Sequence, residues 1–81
     1  MKEKVIEIIG KNLDELNLVV DDVVYEKEMG HNFLRIVLDS PDIIDLDKIV
    51  AATNIINPLM DKADLIKEEY HLDIYGKSKG D

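Results

Sequence analysis

The sequence predicts a small α+β domain, with a three-stranded sheet and both helices on one of its faces. Two stretches space their apolar residues three or four apart, as in amphipathic helices, and three others are β-branched or alternate apolar with polar residues, as in strands. Their order is helix, strand, strand, helix, strand, and 81 residues leave room for one two-layer domain.

The first helix is predicted over residues 2–17, where apolar residues recur at helical spacing. The first strand is predicted over 18–28, because this segment is rich in valine. The pair Asp21 and Asp22 interrupts this strand, which indicates either a bulge or a later start. A hairpin loop over 28–32 contains Gly30, which can adopt a positive φ.

The second strand, predicted over 32–39, alternates clearly and ends before Pro41. Asp45 has the features of an N-cap for a second helix, and Pro58 predicts a kink or an early end of that helix near Asn57. A third strand follows over 70–75, and it could pair with either the first or the second strand. The predicted core consists of Val5, Ile9, Leu13, Leu34, Ile36, Leu38, Ile49, Ile56, Leu59, Leu72 and Ile74.

Composition limits the classes of function. Eighteen acidic residues oppose ten basic ones, giving a net charge of −8, which disfavours free nucleic acid as the primary partner. The absence of cysteine indicates a reducing compartment, and no apolar run is long enough to cross a bilayer. We therefore predict a cytoplasmic protein that does not bind membranes.

Four segments read LRIVLD over 34–39, IDLD over 44–47, TNIINPLMD over 53–61 and YHLDI over 70–74. Their order and spacing resemble the amino-terminal domain of the RimP family of bacterial ribosome maturation factors, and the resemblance spans about residues 5–75. It implies a domain without catalysis that helps the small ribosomal subunit to mature by contacting ribosomal protein and RNA.

Two departures from the family pattern stand out. Asp73 replaces the usual glutamate, and YGKSKGD over 75–81 stands where the family continues through Ser-Ser-Pro-Gly into a basic β-barrel domain. We therefore expect a RimP-like domain over 1–75 and a flexible tail over 76–81, without the family's carboxy-terminal barrel domain.

No catalytic, cofactor or metal site is predicted. Gly76 and Lys77 lack the earlier glycine of a phosphate-binding loop, and Ser40 has no nucleophile motif around it. His31 and His71 have no cysteine to complete a zinc site, so they are predicted to be surface residues. A turn and a helix cap account for the carboxylates of Asp39, Asp42, Asp45 and Asp47 without a cation.

The predicted partner is the small ribosomal subunit, bound by a monomer through a basic ribosomal protein, with ribosomal RNA as a further contact. Strand alternation places Phe33, Arg35 and Tyr75 on one sheet face, where carboxylates of the same parity disfavour phosphate. The alternatives are a KH-like module that binds RNA on this face and an adaptor that self-associates through a sheet edge. The predicted partner-binding residues are Phe33, Arg35, Asp39, Asp61, Tyr70 and Asp73.

Overall fold

A computed structural model of the chain describes residues 2–77 and contains the five predicted elements in the predicted order. The α+β fold class is thereby confirmed. The first helix is divided into an α-helical part and a 3-10 part. The elements are α1 Lys2–Ile9, the 3-10 helix Gly10–Leu16, β1 Val19–Glu28, β2 His31–Asp39, α2 Leu46–Ala63 and β3 His71–Gly76.

The first helix changes its winding at Gly10, whereas the sequence predicts one continuous helix. Glycine has a low helix propensity. Asn12 also competes with the backbone, because its side-chain amide donates to the carbonyl of Ile8. In a continuing α-helix, that carbonyl would accept from the backbone N–H of Asn12. The tighter 3-10 segment ends at Asn17, whose φ of 61° is left-handed. Leu13 is fully buried within this segment, so the change of winding keeps the helix on the core.

The sheet has the order β1-β2-β3, with β1 antiparallel and β3 parallel to the central β2. A two-residue turn joins β1 to β2, and its residues Met29 and Gly30 both have positive φ, as in the turns that fit the twist of a hairpin. The pairing register shifts between Val20 and Asp22, so the bulge at Asp21 is confirmed. The open question about the third strand is also answered, since it pairs with β2.

Helix α2 begins as predicted but does not end where predicted. The carboxylate of Asp45 accepts a hydrogen bond from the amide of Lys48 at 2.9 Å, which satisfies one free donor of the first turn. An early end near Asn57 is wrong, because α2 continues through Pro58 to Ala63. Pro58 has no N–H to donate to the carbonyl of Asn54. Both residues are exposed, so water can solvate that carbonyl. The turns that follow Pro58 bury Met60 in the core.

The core fills the space between both helices and one face of the sheet. Most of the predicted core is fully buried, whereas Ile49, Leu59, Leu72 and Ile74 are half-buried and pack against it. The buried residues are Val5, Ile9, Leu13, Leu18, Val23, Leu34, Ile36, Leu38, Ala52, Ile56, Met60 and Ile66. The opposite sheet face is not covered by any helix of the described chain, and its side chains form the first candidate surface.

The chain leaves the sheet after Gly76, the last residue of β3, and the amide of Lys77 still donates to the carbonyl of Leu38 at 2.7 Å. The rest of the predicted tail, residues 78–81, lies outside the described residues. Within the described part, no helix has the length and hydropathy required to span a membrane.

Candidate functional site

The uncovered sheet face brings together residues from all three strands. By register, Phe33 lies beside His71 and Arg35 beside Asp73, while Val37 lies beside Tyr75. Paired residues of neighbouring strands project to the same side of a sheet. The prediction that Phe33, Arg35 and Tyr75 share one face is therefore confirmed, and we call this surface the open face.

Arg35 is the centre of an ion-pair network on the open face. Its Nη1 donates to carboxylate oxygens of Glu26 and Glu28, each at 3.1 Å, and its Nε lies 3.7 Å from a carboxylate oxygen of Asp73. The side chain of Arg35 is 23% exposed. One guanidinium is thus shared among three carboxylates, and the network as a whole is negative.

The network changes the protonation equilibria of its members. The hydrogen bond from Arg35, supported by its positive charge, lowers the pKa of Glu28 below its ordinary value. The reciprocal hydrogen bond with Glu28 raises the pKa of Arg35. Glu28 is therefore ionised, and Arg35 is charged, at any physiological pH.

The ring of Phe33 is already occupied. The imidazole of His71 stacks on it with centroids 5.1 Å apart, and the guanidinium carbon of Arg35 lies 5.0 Å from its centroid. The ring on which an RNA base would stack therefore already has two partners within the domain.

Replacing Arg35 with methionine is expected to lower the free energy of unfolding by an amount that depends on pH. A carboxylate whose pKa is lowered in the folded state stabilises the fold above its ordinary pKa, 4.5 for Glu28, and loses that contribution as the pH falls through the lowered value. Arg35→Met should therefore be less stable than the wild type at pH 7, and the difference should narrow as the pH falls to about 3. Urea denaturation at several pH values measures this difference.

Lys62→Met serves as the control, because it removes an exposed cation from α2, outside the network. Its stability relative to the wild type should change much less between the same pH values. A difference for Arg35→Met that stays constant with pH would contradict the link between the network and Glu28.

A second candidate surface is an open cleft of about 740 Å³ at the end of the sheet where β2 and β3 begin. Asn32 donates there to the Glu68 carboxylate at 2.8 Å and to the Glu69 carbonyl at 3.0 Å. Partial burial raises the pKa of Tyr70, and the negative charge of Asp61 adds to this effect. The residues lining this acidic cleft are Gly30, His31, Asn32, Asn57, Asp61, Glu68, Glu69, Tyr70, His71 and Leu72.

The predicted partner-binding residues are divided between these surfaces. Phe33, Arg35 and Asp73 come together on the open face, whereas Asp61 and Tyr70 line the acidic cleft. Asp39 has the same strand parity as Phe33 and Arg35, so it belongs to the open face too, but it lies at the far end of β2, away from the Arg35 network.

Sequence reasoning missed three residues of the open face: Glu26, Glu28 and His71. The hairpin register could have identified the two glutamates, since a two-residue turn at 29–30 places Glu28 opposite His31 and Glu26 opposite Phe33. The role of His71 depends on the parallel pairing of β3 with β2, which the sequence left open.

Carboxylates around the end of β2 serve the local backbone and neighbouring side chains. Asp39 accepts from the amide of Ser40 at 2.8 Å, Asp42 accepts from the Asn17 side chain at 3.4 Å, and Asp45 caps α2. Within residues 2–77, no three or more His, Asp or Glu side chains are arranged to hold a metal ion.

These residues build a two-layer α+β domain with a one-sided core, a charged open face and an acidic cleft. The model of one protein family, the RimP N-terminal domain, matches residues 8–76, which is most of the chain. The chain therefore belongs to the RimP N-terminal domain family, and the resemblance seen in the sequence is confirmed. That membership assigns it to a family of ribosome maturation factors.

Proposed function

We propose that this domain assists maturation of the small ribosomal subunit in the cytoplasm, as a monomer without catalytic activity, by binding a basic ribosomal protein. Family membership supports a role in ribosome maturation. The observation that carries the choice of partner is the ion-pair network of Arg35. The cation that could attract phosphate to the open face is held by the carboxylates of Glu26, Glu28 and Asp73.

Electrostatics favours a cationic partner over an anionic one. By register, one guanidinium, that of Arg35, and the carboxylates of Glu26, Glu28, Asp39 and Asp73 belong to the open face of the three strands. Asp22 has the same register, but its carboxylate is paired with Lys2 of α1 at 2.7 Å. The open face is therefore negative, like the whole chain with its net charge of −8, which raises the encounter rate with basic proteins and lowers it with RNA.

RNA binding on the open face is the second candidate, because Phe33, Arg35 and Tyr75 share that face. A sheet that binds single-stranded RNA uses free aromatic faces beside free cations. Here Phe33 already contacts Arg35 and His71, and Arg35 is paired, so this candidate is weaker.

Binding to immature small subunits is expected to weaken several-fold as the salt concentration rises, since screening reduces attraction between an acidic domain and a basic partner. Co-sedimentation of the domain with these particles at low and high potassium chloride measures the effect. Purified basic proteins of the small subunit should bind the domain with the same salt dependence.

A short unstructured RNA provides the competitor, and it should not displace the domain from the isolated proteins. Mature large subunits provide the particle control and should retain little of the domain. Binding that is insensitive to salt would contradict the electrostatic argument, and tight capture of the free RNA would favour the second candidate.

A further inference from the structure

The outer edge of β3 has no partner strand in the described chain, because β3 pairs only with β2. The amide of Lys77 points toward β2, where it donates to the carbonyl of Leu38. Since amides alternate in direction along a strand, those of Leu72, Ile74 and Gly76 point the other way. Such a row of outward donors and acceptors is a template for an additional strand.

One flank of α2 runs beside this edge. This flank consists of Leu46, Val50, Asn57 and Asp61. Their spacings of four, seven and four residues place them along one side of the helix. Asn57 and Asp61 line the acidic cleft together with the first residues of β3. The flank therefore lies on the side of α2 that overlooks the β3 edge.

The residues just before α2 also lie close to β3, at its carboxyl end. The side chain of Ile44, just before α2, lies 3.3 Å from the position that a Cβ of Gly76 would occupy. Ile43, Ile44, Gly76 and Lys77 line a hollow of about 300 Å³ there. The segment from Ile44 to Asp61 thus lies near β3 at both ends of the strand.

Large apolar side chains are exposed along this end of the flank. Ile43 is 87% exposed, Leu46 is 76% exposed and Val50 is 50% exposed. We call these three residues the apolar shelf. Adjacent exposed apolar residues with a polar rim are typical of interaction sites.

The charges around the shelf identify the kind of partner. Asp42, Asp45 and Asp47 flank it in sequence, but Lys48 lies between Leu46 and Val50, and Lys77 lines the hollow beside Ile43, so this end is only weakly acidic. The acidic cleft at the far end contains Asp61 and two glutamates. Neither lysine nor arginine is among the residues that line that cleft. A cationic segment is thus attracted chiefly by the acidic cleft, whereas RNA and a second copy of this chain, itself carrying −8, are repelled.

We infer that the β3 edge accepts an extended, lysine- and arginine-rich segment of a partner protein as a fourth strand. The partner's backbone pairs with Leu72, Ile74 and Gly76, its apolar side chains cover the shelf, and its cations reach the acidic cleft. This inference rests on the proposed function, because it deepens the proposal of a basic protein partner by naming the surface that binds it.

Leu46→Lys and Val50→Lys test the shelf, with Met29→Lys as the matched control. Met29 is 97% exposed in the β1–β2 turn, so all three variants replace an exposed apolar side chain and change the net charge equally. The shelf variants should lose about tenfold in affinity for the purified basic small-subunit proteins, and the control about twofold or less. Circular dichroism and urea denaturation verify that each variant is folded.

Amide hydrogen exchange of the labelled domain gives a second readout that does not depend on a variant. Binding of an unlabelled basic protein should slow exchange at Leu72, Ile74 and Gly76. Amides on the outer edge of β1 should keep their rates.

Suppose that the wild type binds with the expected salt dependence, but that the shelf and control variants lose affinity equally. This result would contradict the β3 edge and the shelf as the binding surface, and it would leave the proposed function unchanged. No binding by the wild type would overturn both. Self-association in sedimentation experiments that Leu46→Lys abolishes would overturn the inference in favour of a second copy as the occupant.

Discussion

Replacing Ile36 with alanine is expected to destabilise the domain by about 2 to 4 kcal/mol. Ile36 is fully buried in the central strand, where it lies opposite Val23 of β1 and Ile74 of β3. Both helices close the same core, so the surrounding side chains cannot move inward without losing their own contacts. Urea denaturation of the two proteins measures the difference in free energy of unfolding.

Ile43→Ala is the matched control, because it removes the same atoms from a side chain that is 87% exposed. Its free energy of unfolding should stay within about 0.5 kcal/mol of the wild type. Similar costs at the two positions would contradict the placement of Ile36 at the centre of the core. For a domain of this size, a loss of several kcal/mol is a large share of the total stability.

The elements that the sequence predicted best are those in which apolar residues recur at one regular spacing and so form a single buried face. Residues 34, 36 and 38 alternate strictly, and each is fully buried. Asp45 was recognisable because a capping carboxylate acts on the backbone of its own helix. Local chemistry of this kind is fully contained in the sequence.

Features that depend on the tertiary structure were harder to predict. The partner of β3 is determined by how α2 crosses the sheet, and neither candidate pairing changes the periodicity of the sequence. The change of winding at Gly10 likewise depends on the packed core, so sequence periodicity could not specify it.

The candidate surfaces show the same limit. Parity alone placed Phe33, Arg35 and Asp73 on one face, but it could not show that Arg35 would be held by Glu26 and Glu28. That contact needs the register of the hairpin. The acidic cleft requires still more, since it joins residues from α2, the loop that follows it and the starts of two strands.

Replacing Pro58 with alanine is expected to stabilise the domain by about 1 to 2 kcal/mol. α2 continues through this position, so alanine restores the missing N–H donor to the carbonyl of Asn54 and removes the clash of the ring with that carbonyl. The full difference in helix propensity is about 3 kcal/mol, and the greater freedom of the unfolded chain offsets part of it. The midpoint of urea denaturation should therefore rise.

Pro58→Gly separates the effect of the restored N–H donor from the effect of helix propensity. Glycine also restores the donor, but it has a poor helix propensity. It should gain about 1 kcal/mol less than Pro58→Ala. Since Pro58 is exposed, neither variant opens a cavity. A loss of stability in Pro58→Ala would contradict the view that α2 tolerates this proline only because the last turns bury Met60 and Leu59 against the core. The ring of Pro58 would then itself stabilise the fold.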